Sequence, residues 1–262
     1  MKKVTRFYFL LAAACAALPA AARGADWEFD ASANYDTGKY GTDKRADSVY
    51  IPFTFKDYYR FGEIAVTVPW LYQSSNGQLT RVGGLPVNPG KEGALSGRTT
   101  RESGPGDILV RGTYVIRTED PRSFDLSLVG NLKLPTADKN KGLGTGELDQ
   151  GLGAEFAKKI SPWWSLRADG YYTIIGSPAG VNFNNQLAFD MGIFRELNKD
   201  LWLTALYETR SALVSGNADA RDLRGTLAYK SPGGMQYTCG LVLGLSRGSP
   251  ALGLSAGLSR RF

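Results

Sequence analysis

The chain has 262 residues, with 31 basic and 25 acidic side chains, two cysteines and no histidine. The lack of histidine excludes Ser-His-Asp catalysis, the Asp-His chemistry of barrel proteases and ordinary histidine metal sites. Three basic residues, Lys2, Lys3 and Arg6, belong to an N-terminal leader, and the 28 that remain against 25 acidic residues give no indication of a nucleic-acid partner. Cys15 also lies in the leader, so Cys239 has no partner for a disulfide after export.

Residues 1–22 have the pattern of a secretory signal peptide. A basic start is followed by an apolar run from Phe7 to Leu18 and by small residues at Ala20 to Ala22, where a signal peptidase cuts. The apolar run is shorter than the roughly 20 residues that a spanning helix needs. We therefore predict a signal peptide over 1–22 and one mature domain over 23–262.

Alternating apolar and polar residues run through most of the mature chain. In the segment 26–36, DWEFDASANYD, odd positions such as Trp27 and Phe29 are apolar and even positions such as Glu28 and Asp30 are polar. Period two is the pattern of a β-strand with one apolar face. Twelve such runs cover 27–35, 49–55, 64–70, 108–116, 124–134, 148–156, 164–174, 187–193, 201–207, 223–229, 235–245 and 252–258.

The connections between these runs alternate in length. Short connections cover 57–59, 119–122, 160–162, 197–200 and 231–234; long ones cover 37–46, 73–103, 136–146, 176–183 and 211–219, with 247–250 as a short exception. An even number of strands, with short turns at one end and long loops at the other, is typical of an outer-membrane barrel. The runs also approach the roughly 9 to 11 residues with which a tilted strand crosses a bilayer. We predict an all-β fold, a transmembrane antiparallel up-and-down β-barrel of about 12 strands, with a soluble sandwich as the alternative.

Charged residues occupy the face opposite the apolar sets, and in a membrane barrel this face lines a polar lumen. The predicted lumen-lining residues are Asp107, Arg111, Asp125, Lys133, Glu155, Arg167, Asp169, Asp190, Glu208, Arg210 and Arg224. A hydrolase that uses carboxylates alone stays open, because Asp107, Asp125 and Asp169 could share the lumen. Charges of both signs inside barrels generally brace the wall, so we expect no enzyme, no cofactor and no metal site.

The C-terminal segment LGLSAGLSRRF puts Leu254, Ala256, Leu258 and Phe262 in one register, interrupted by Arg260. A last strand that ends in phenylalanine is similar to the assembly signal of bacterial outer-membrane proteins. We therefore predict that Phe262 is part of the signal for the barrel assembly machinery.

The central third of the chain carries three motifs in order: VPWLY at 68–72, SGPGDILVRGTYVI at 103–116 and LKLPTADKNKGLGTGELDQGLGAEFAKKI at 132–160. This order and spacing resembles the family of outer-membrane proteins named for the meta pathway of phenol degradation, whose members are often described as transporters. The resemblance implies a porin-like barrel in the outer membrane of a Gram-negative cell, in contact with lipid. It also implies transport of small organic solutes, aromatic ones among them. The glycine-rich stretch lacks the Gly-Lys-Ser/Thr of a phosphate-binding loop, so we interpret it as a loop entering a strand.

Two functions are compatible with this pattern. The barrel is either a passive channel for small organic compounds, or a closed structural or surface-binding protein that acts through its long loops. The longest connection, 73–103, is rich in glycine and carries more basic than acidic residues. Its composition predicts no strand, and its length allows it to fold across the barrel mouth, so we expect a constricting or gating loop, with a mobile surface loop as the alternative.

Overall fold

The computed structural model describes residues 26–42, 45–75, 80–82, 85–87, 100–118 and 124–262. The predicted signal peptide, most of the predicted gating loop and the predicted turn at 119–122 lie outside these ranges. Helical structure within the described ranges is a single 3-10 turn, Lys139–Lys141. No helix among these residues is long and apolar enough to cross a membrane.

Strands make up most of the described chain, and each of the twelve predicted runs falls largely within one of them. In chain order they are β1 (Trp27–Gly38), β2 (Ala46–Tyr59), β3 (Gly62–Ser75), β4 (Thr80–Val82), β5 (Leu85–Val87), β6 (Thr100–Pro105), β7 (Ile108–Arg117), β8 (Asp125–Leu134), β9 (Asp149–Ser161), β10 (Trp164–Ile174), β11 (Gln186–Asn198), β12 (Leu201–Arg210), β13 (Ala220–Lys230), β14 (Met235–Gly244) and β15 (Leu252–Arg261). The barrel strands other than β6 have 10 to 14 residues, as a tilted membrane strand requires.

The strands close into one antiparallel barrel. Each of β7 to β14 pairs with the next strand in sequence, β15 pairs with β1, β1 with β2, and β2 with β3. The circle is completed by β3, which pairs with β7 near its beginning and with β6 near its end, so that β6 and β7 share one position in the wall. The wall therefore has twelve strand positions, and the predicted barrel is confirmed.

The expectation of no strand in the connection 73–103 is wrong. Within it, β4 and β5 form a separate two-stranded hairpin, and β6 extends the wall along β3. Whether this connection gates the barrel stays a prediction.

Apolar side chains cover the outside of the barrel. Leu187 is 62% exposed, Phe55 is 55% exposed and Leu128 is 51% exposed, while the residues of the opposite face are more buried. Soluble proteins rarely expose a continuous apolar surface of this kind, whereas lipid matches it. A closed barrel also leaves no unpaired strand edge in the hydrocarbon region. The fold thus places the protein in the outer membrane, with its apolar face against lipid.

The first and last strands close the barrel through their terminal residues. The backbone N–H of Phe262 donates to the carbonyl of Trp27 at 2.8 Å, and the two rings stack with centroids 4.1 Å apart. Beside them, Arg261 forms an ion pair with Asp26. Its hydrogen bonds hold the pKa of the Asp26 carboxyl below the ordinary value, so this contact is present at neutral pH and is lost only as the pH falls through that lowered pKa.

Deleting Phe262 is expected to reduce the amount of assembled barrel severalfold while leaving export intact. The deletion removes the ring that stacks on Trp27 and the last backbone hydrogen bonds between β1 and β15. The measurement is the heat-modifiable band in the outer-membrane fraction, with Phe262→Tyr as the control that keeps a ring. Outer-membrane levels equal to those of the parent would contradict an assembly role.

Two apolar clusters hold the long loops at one end of the barrel. The first consists of Leu71, Ala137 and Leu143, with Tyr50 packed against it. The second consists of Ile175, Phe183 and Leu213, with Val181 and Val214 packed against it. Leu71 lies on the inner face of β3, and Gln73 on the same face donates a hydrogen bond from Nε2 to the carbonyl of Gly142 at 3.3 Å. The loop 136–146 is therefore folded against the inside of the wall.

Candidate functional site

The inner faces of β7 to β10 carry a connected network of charged side chains. From β7, Arg111 Nη2 reaches Glu155 Oε1 on β9 at 2.5 Å, and Arg167 Nη2 on β10 approaches the same oxygen at 3.2 Å. Tyr171 donates its hydroxyl to Glu155, and Arg167 Nε donates to Asp169 Oδ2, both at 2.5 Å. This network runs along the inner surface of the wall from β7 to β10. We call the inner faces of these four strands the filled side.

A second ion cluster lies at the long-loop end of the filled side. Lys133 Nζ lies 2.8 Å from Asp149 Oδ2 and 3.6 Å from Asp107 Oδ2, and it donates to the Thr145 hydroxyl at 2.8 Å. The Lys133 side chain is 3% exposed, and both carboxylates are buried as well. Asp107 also accepts the backbone N–H of Ala137. The cluster therefore fixes the loop 136–146 to the wall.

The inner faces of β14 and β15 carry small residues, and this is why space remains beside them. Gly240, Gly253 and Gly257 alternate with outward apolar residues. A Cβ atom on Gly253 would lie 2.5 Å from Asp36 Oδ1, and one on Gly240 would lie 2.4 Å from Ser255 Oγ. Without side chains there, the neighbouring strands stay close and the lumen beside them stays open. We call the inner faces of β1, β2 and β12 to β15 the open side.

A cavity of about 350 Å³ occupies the open side towards the long loops. Its polar and charged lining includes Ser32, Asn34, Asp36, Tyr50, Arg210, Asp222, Arg224 and Ser255; its apolar lining includes Pro52, Ala212, Leu213, Ala220, Val242 and Pro250. Because Leu213 belongs to the second apolar cluster, the loop 211–219 forms part of the cavity wall. The cavity is thus a lumen compartment with mixed walls.

The charges beside this cavity form two diagonal pairs on β12 and β13. Arg210 Nη2 lies 2.5 Å from Asp222 Oδ2, and Arg224 Nε lies 2.8 Å from Glu208 Oε1. Glu208 and Asp222 are directly opposite in the strand register, so each arginine reaches a carboxylate on the neighbouring strand. The positive charges of Arg210 and Arg224 are therefore each neutralised by a carboxylate on the adjacent strand.

The predicted charged residues are thus distributed over several clusters. Asp107 and Lys133 are together, Arg111, Glu155, Arg167 and Asp169 are together, Glu208 pairs with Arg224, and Arg210 pairs with Asp222. Asp190 lies opposite Asp169 and Glu208 in the strand register, and Asp125 lies opposite Ala157. Asp107 and Asp169, two of the three carboxylates considered for a hydrolase, belong to different clusters. That the predicted set lines a path for a solute stays a prediction.

The predicted lumen-lining set leaves out several inner-face residues, among them Asp149, Tyr171 and Asp222. Asp222 precedes Arg224 by two positions, and Tyr171 follows Asp169 by two, so period-two counting from the charged residues that were found would have included both. Asp149 lies at the first position of β9, directly opposite Lys133 in the register. Its role depends on that pairing, for which the sequence carries no local signal.

The fold is similar to that of solved outer-membrane barrels. The COG4313 outer membrane channel from Pseudomonas putida F1 aligns with a TM-score of 0.70 and 13% sequence identity, over 92% of this chain and 97% of that chain. The NanC porin aligns with a TM-score of 0.55 and 10% identity, over 89% of this chain and 100% of that chain. At these identities the similarity concerns the fold.

No curated protein is significantly similar to the chain in sequence. The motifs at 68–72, 103–116 and 132–160, on which the family resemblance depends, all fall within the region that a family model matches. That model, described as "Putative MetA-pathway of phenol degradation", matches residues 52–262, most of the chain, and the protein therefore belongs to this family.

Proposed function

We propose that the protein is an outer-membrane channel for the passive uptake of small organic molecules, including aromatic ones. The observation that carries the proposal is the cavity of about 350 Å³ inside the closed wall. Its volume is at the lower end of the roughly 300 to 1,000 Å³ range of small-molecule sites, so it suits a solute of about one ring. The family description and the names of the two similar structures, a channel and a porin, support the same function.

The walls of the cavity suit a neutral organic solute. Aliphatic and proline side chains such as Leu213, Val242 and Pro52 offer apolar contact, and the hydroxyl, amide and charged groups opposite offer hydrogen bonds. Because Arg210 and Arg224 are each paired with a carboxylate, the open side presents no uncompensated cationic strip like that of an anion channel.

The second candidate is a closed barrel that acts as a structural or surface-binding protein. It is favoured by the loop packing at the long-loop end, where the Lys133 cluster and the two apolar clusters hold loops from several strands. In this case the cavity would be an internal space with no through passage. The two candidates differ in one measurable property, which is solute flux through the barrel.

The proposal is tested by conductance in planar bilayers and by swelling of liposomes that contain the protein. We expect a measurable single-channel conductance and uptake of small neutral organic solutes. Ser255→Trp should lower both severalfold, because Ser255 lines the cavity and an indole there would fill much of it. Ala256→Trp is the matched control, since Ala256 is the exposed neighbour on the opposite face of β15.

Absence of conductance and of swelling in the parent protein would refute the channel and favour the closed barrel. Equal flux through the Ser255→Trp and Ala256→Trp proteins, both shown to be folded by heat modifiability, would mean that solutes do not pass through this cavity.

A further inference from the structure

We infer that the outer surface of β7 to β11, at the end of the barrel with the short turns, binds the phosphate of an anionic phospholipid. The binding groups are Arg117, Lys158 and Arg195, which we call the basic cluster. The inference concerns the lipid side of the wall and does not depend on whether the barrel conducts solutes. It follows from the direction, height, contacts and charge of these three side chains.

A β-bulge turns Arg117 towards lipid. Counting by twos along β7 would put Arg117 on the inner face of the wall. The register shifts between Val115 and Arg117, however, so that Arg117 lies opposite Leu126, which belongs to the outward series of β8. The guanidinium carbon of Arg117 lies 5.1 Å from the centroid of the Phe124 ring, which precedes Leu126 by two positions. The bulge therefore presents an exposed cation on the outer surface.

Lys158 and Arg195 point in the same direction. Lys158 lies opposite Leu166, and Arg195 lies opposite Trp164, and both partners are outward residues of β10. The guanidinium carbon of Arg195 lies 4.8 Å from the centroid of the Trp164 ring. Strands β7, β9 and β11 are each separated by one strand, so neighbouring members of the basic cluster are about 10 Å apart across the wall.

The three cations lie at about one height on the wall. The row of paired residues that contains Arg117 passes through Phe156 on β9 and Met191 on β11. This row starts at the last residue of β7 but reaches β12 well inside that strand, so residues of equal height shift towards the short turns from β7 to β12. With strands tilted by about 40°, the shift is about one position per strand. Lys158 follows Phe156 by two positions and Arg195 follows Met191 by four, which matches two and four strands.

That height corresponds to the head-group region of one leaflet. On β11 the outward series Leu187, Phe189, Met191 and Ile193 ends at Arg195, close to the short turn. Arginine on the lipid face is costly at the bilayer midplane but is tolerated near the interface. Because the short turns of such barrels face the periplasm, the leaflet concerned is the periplasmic one, which consists of phospholipids.

The two arginines are not neutralised within the described part of the chain. No carboxylate there forms an ion pair with Arg117 or Arg195. The described outward positions at this end of β7 to β11 include no acidic residue. An aromatic ring positions each guanidinium through its face, while the N–H donors lie in the guanidinium plane and suit the oxygens of a phosphate. Two such arginines, with Lys158 between them, favour a lipid with a net negative charge over a zwitterionic one.

The test offers two lipids with the same acyl chains, phosphatidylglycerol and phosphatidylcholine, in equimolar amounts to the full barrel folded in a non-ionic detergent. The first bound lipid is identified by native mass spectrometry. We expect the parent to bind phosphatidylglycerol about tenfold or more tightly than phosphatidylcholine. A higher ammonium acetate concentration should reduce this preference, because the cluster is exposed to solvent ions.

Arg117→Gln/Arg195→Gln should abolish the preference and leave phosphatidylcholine binding unchanged. The matched control is Lys56→Gln/Lys230→Gln, which removes two positive charges from the inner face at the same end of the barrel, opposite Glu28 and Gln236. This control should keep the preference of the parent. Each single variant, Arg117→Gln or Arg195→Gln, should lower the preference about threefold to fivefold, so a failure of the double variant to fold leaves the test intact.

Four results would overturn the inference. They are equal binding of the two lipids by the parent, a full preference in both single variants, an equal loss in the inner-face control, and no lipid adduct on any of the proteins. A preference for phosphatidylglycerol that depends on Arg117 and Arg195 supports the site, and it does so whether or not liposomes show flux.

Discussion

Lys133→Met is expected to lower the free energy of unfolding by about 3 to 5 kcal/mol, the cost of leaving buried charges without their partner. Methionine has a similar length but no charge, so Asp107 and Asp149 would face the same buried space without a cation. Both carboxylates also accept backbone N–H groups, from Ala137 and Gly176, which begin loops at the long-loop end. The loss should therefore include loosening of those loops.

Two measurements check this expectation. Urea unfolding in lipid vesicles gives the free energy, and limited trypsin digestion should cut the variant faster at Lys139 and Lys141, which lie in the loop 136–146. The control is Lys56→Met, because the pair Lys56–Glu28 is similar in chemistry but its side chains are 28% and 17% exposed. That variant should lose about 1 kcal/mol or less. Equal losses of unfolding free energy in the two variants would show that burial does not explain how much the Lys133 cluster contributes to stability.

The barrel could be predicted because the pattern that specifies it is present within each strand separately. A membrane strand has lipid on one face and the lumen on the other along its whole length, so polarity alternates at every residue. Leu128 and Leu187, which the alternation assigned to lipid, are among the exposed apolar residues of the wall. The alternation of short turns and long loops supplied the topology, because up-and-down closure requires nothing more than sequential hairpins.

The interior was less predictable because its contacts join residues that are distant in the chain. The inward position of the loop 136–146 depends on Leu143 meeting Leu71, and the cavity depends on glycines of β14 and β15 lying opposite β1 and β13. Period two assigns such residues to the inner face. It does not indicate which of them meet, which loop turns inward or where space is left, because these depend on the register and curvature of the closed sheet.

The direction of each side chain can be tested with one pair of adjacent substitutions on β8. Leu128→Arg is expected to destabilise the barrel by about 2 to 4 kcal/mol, the cost of arginine on the lipid face near the bilayer midplane. Leu128 is 51% exposed and lies opposite Ala154 on the outer face. Ser127→Arg should cost much less, because Ser127 is on the inner face directly opposite Glu155, so that the new side chain points into the polar lumen and not into lipid.

Both proteins are compared by unfolding in vesicles and by the heat-modifiable fraction, so that a failure of assembly and a loss of stability are told apart. Ser127→Arg introduces the same side chain one residue away and therefore controls for its size, its charge and its effect on strand propensity. If the two variants are equally stable, the assignment of faces on β8 is wrong. A difference of the expected size would show that the surface carrying Leu128 is solvated by lipid, because in water an exposed arginine would cost no more at 128 than at 127.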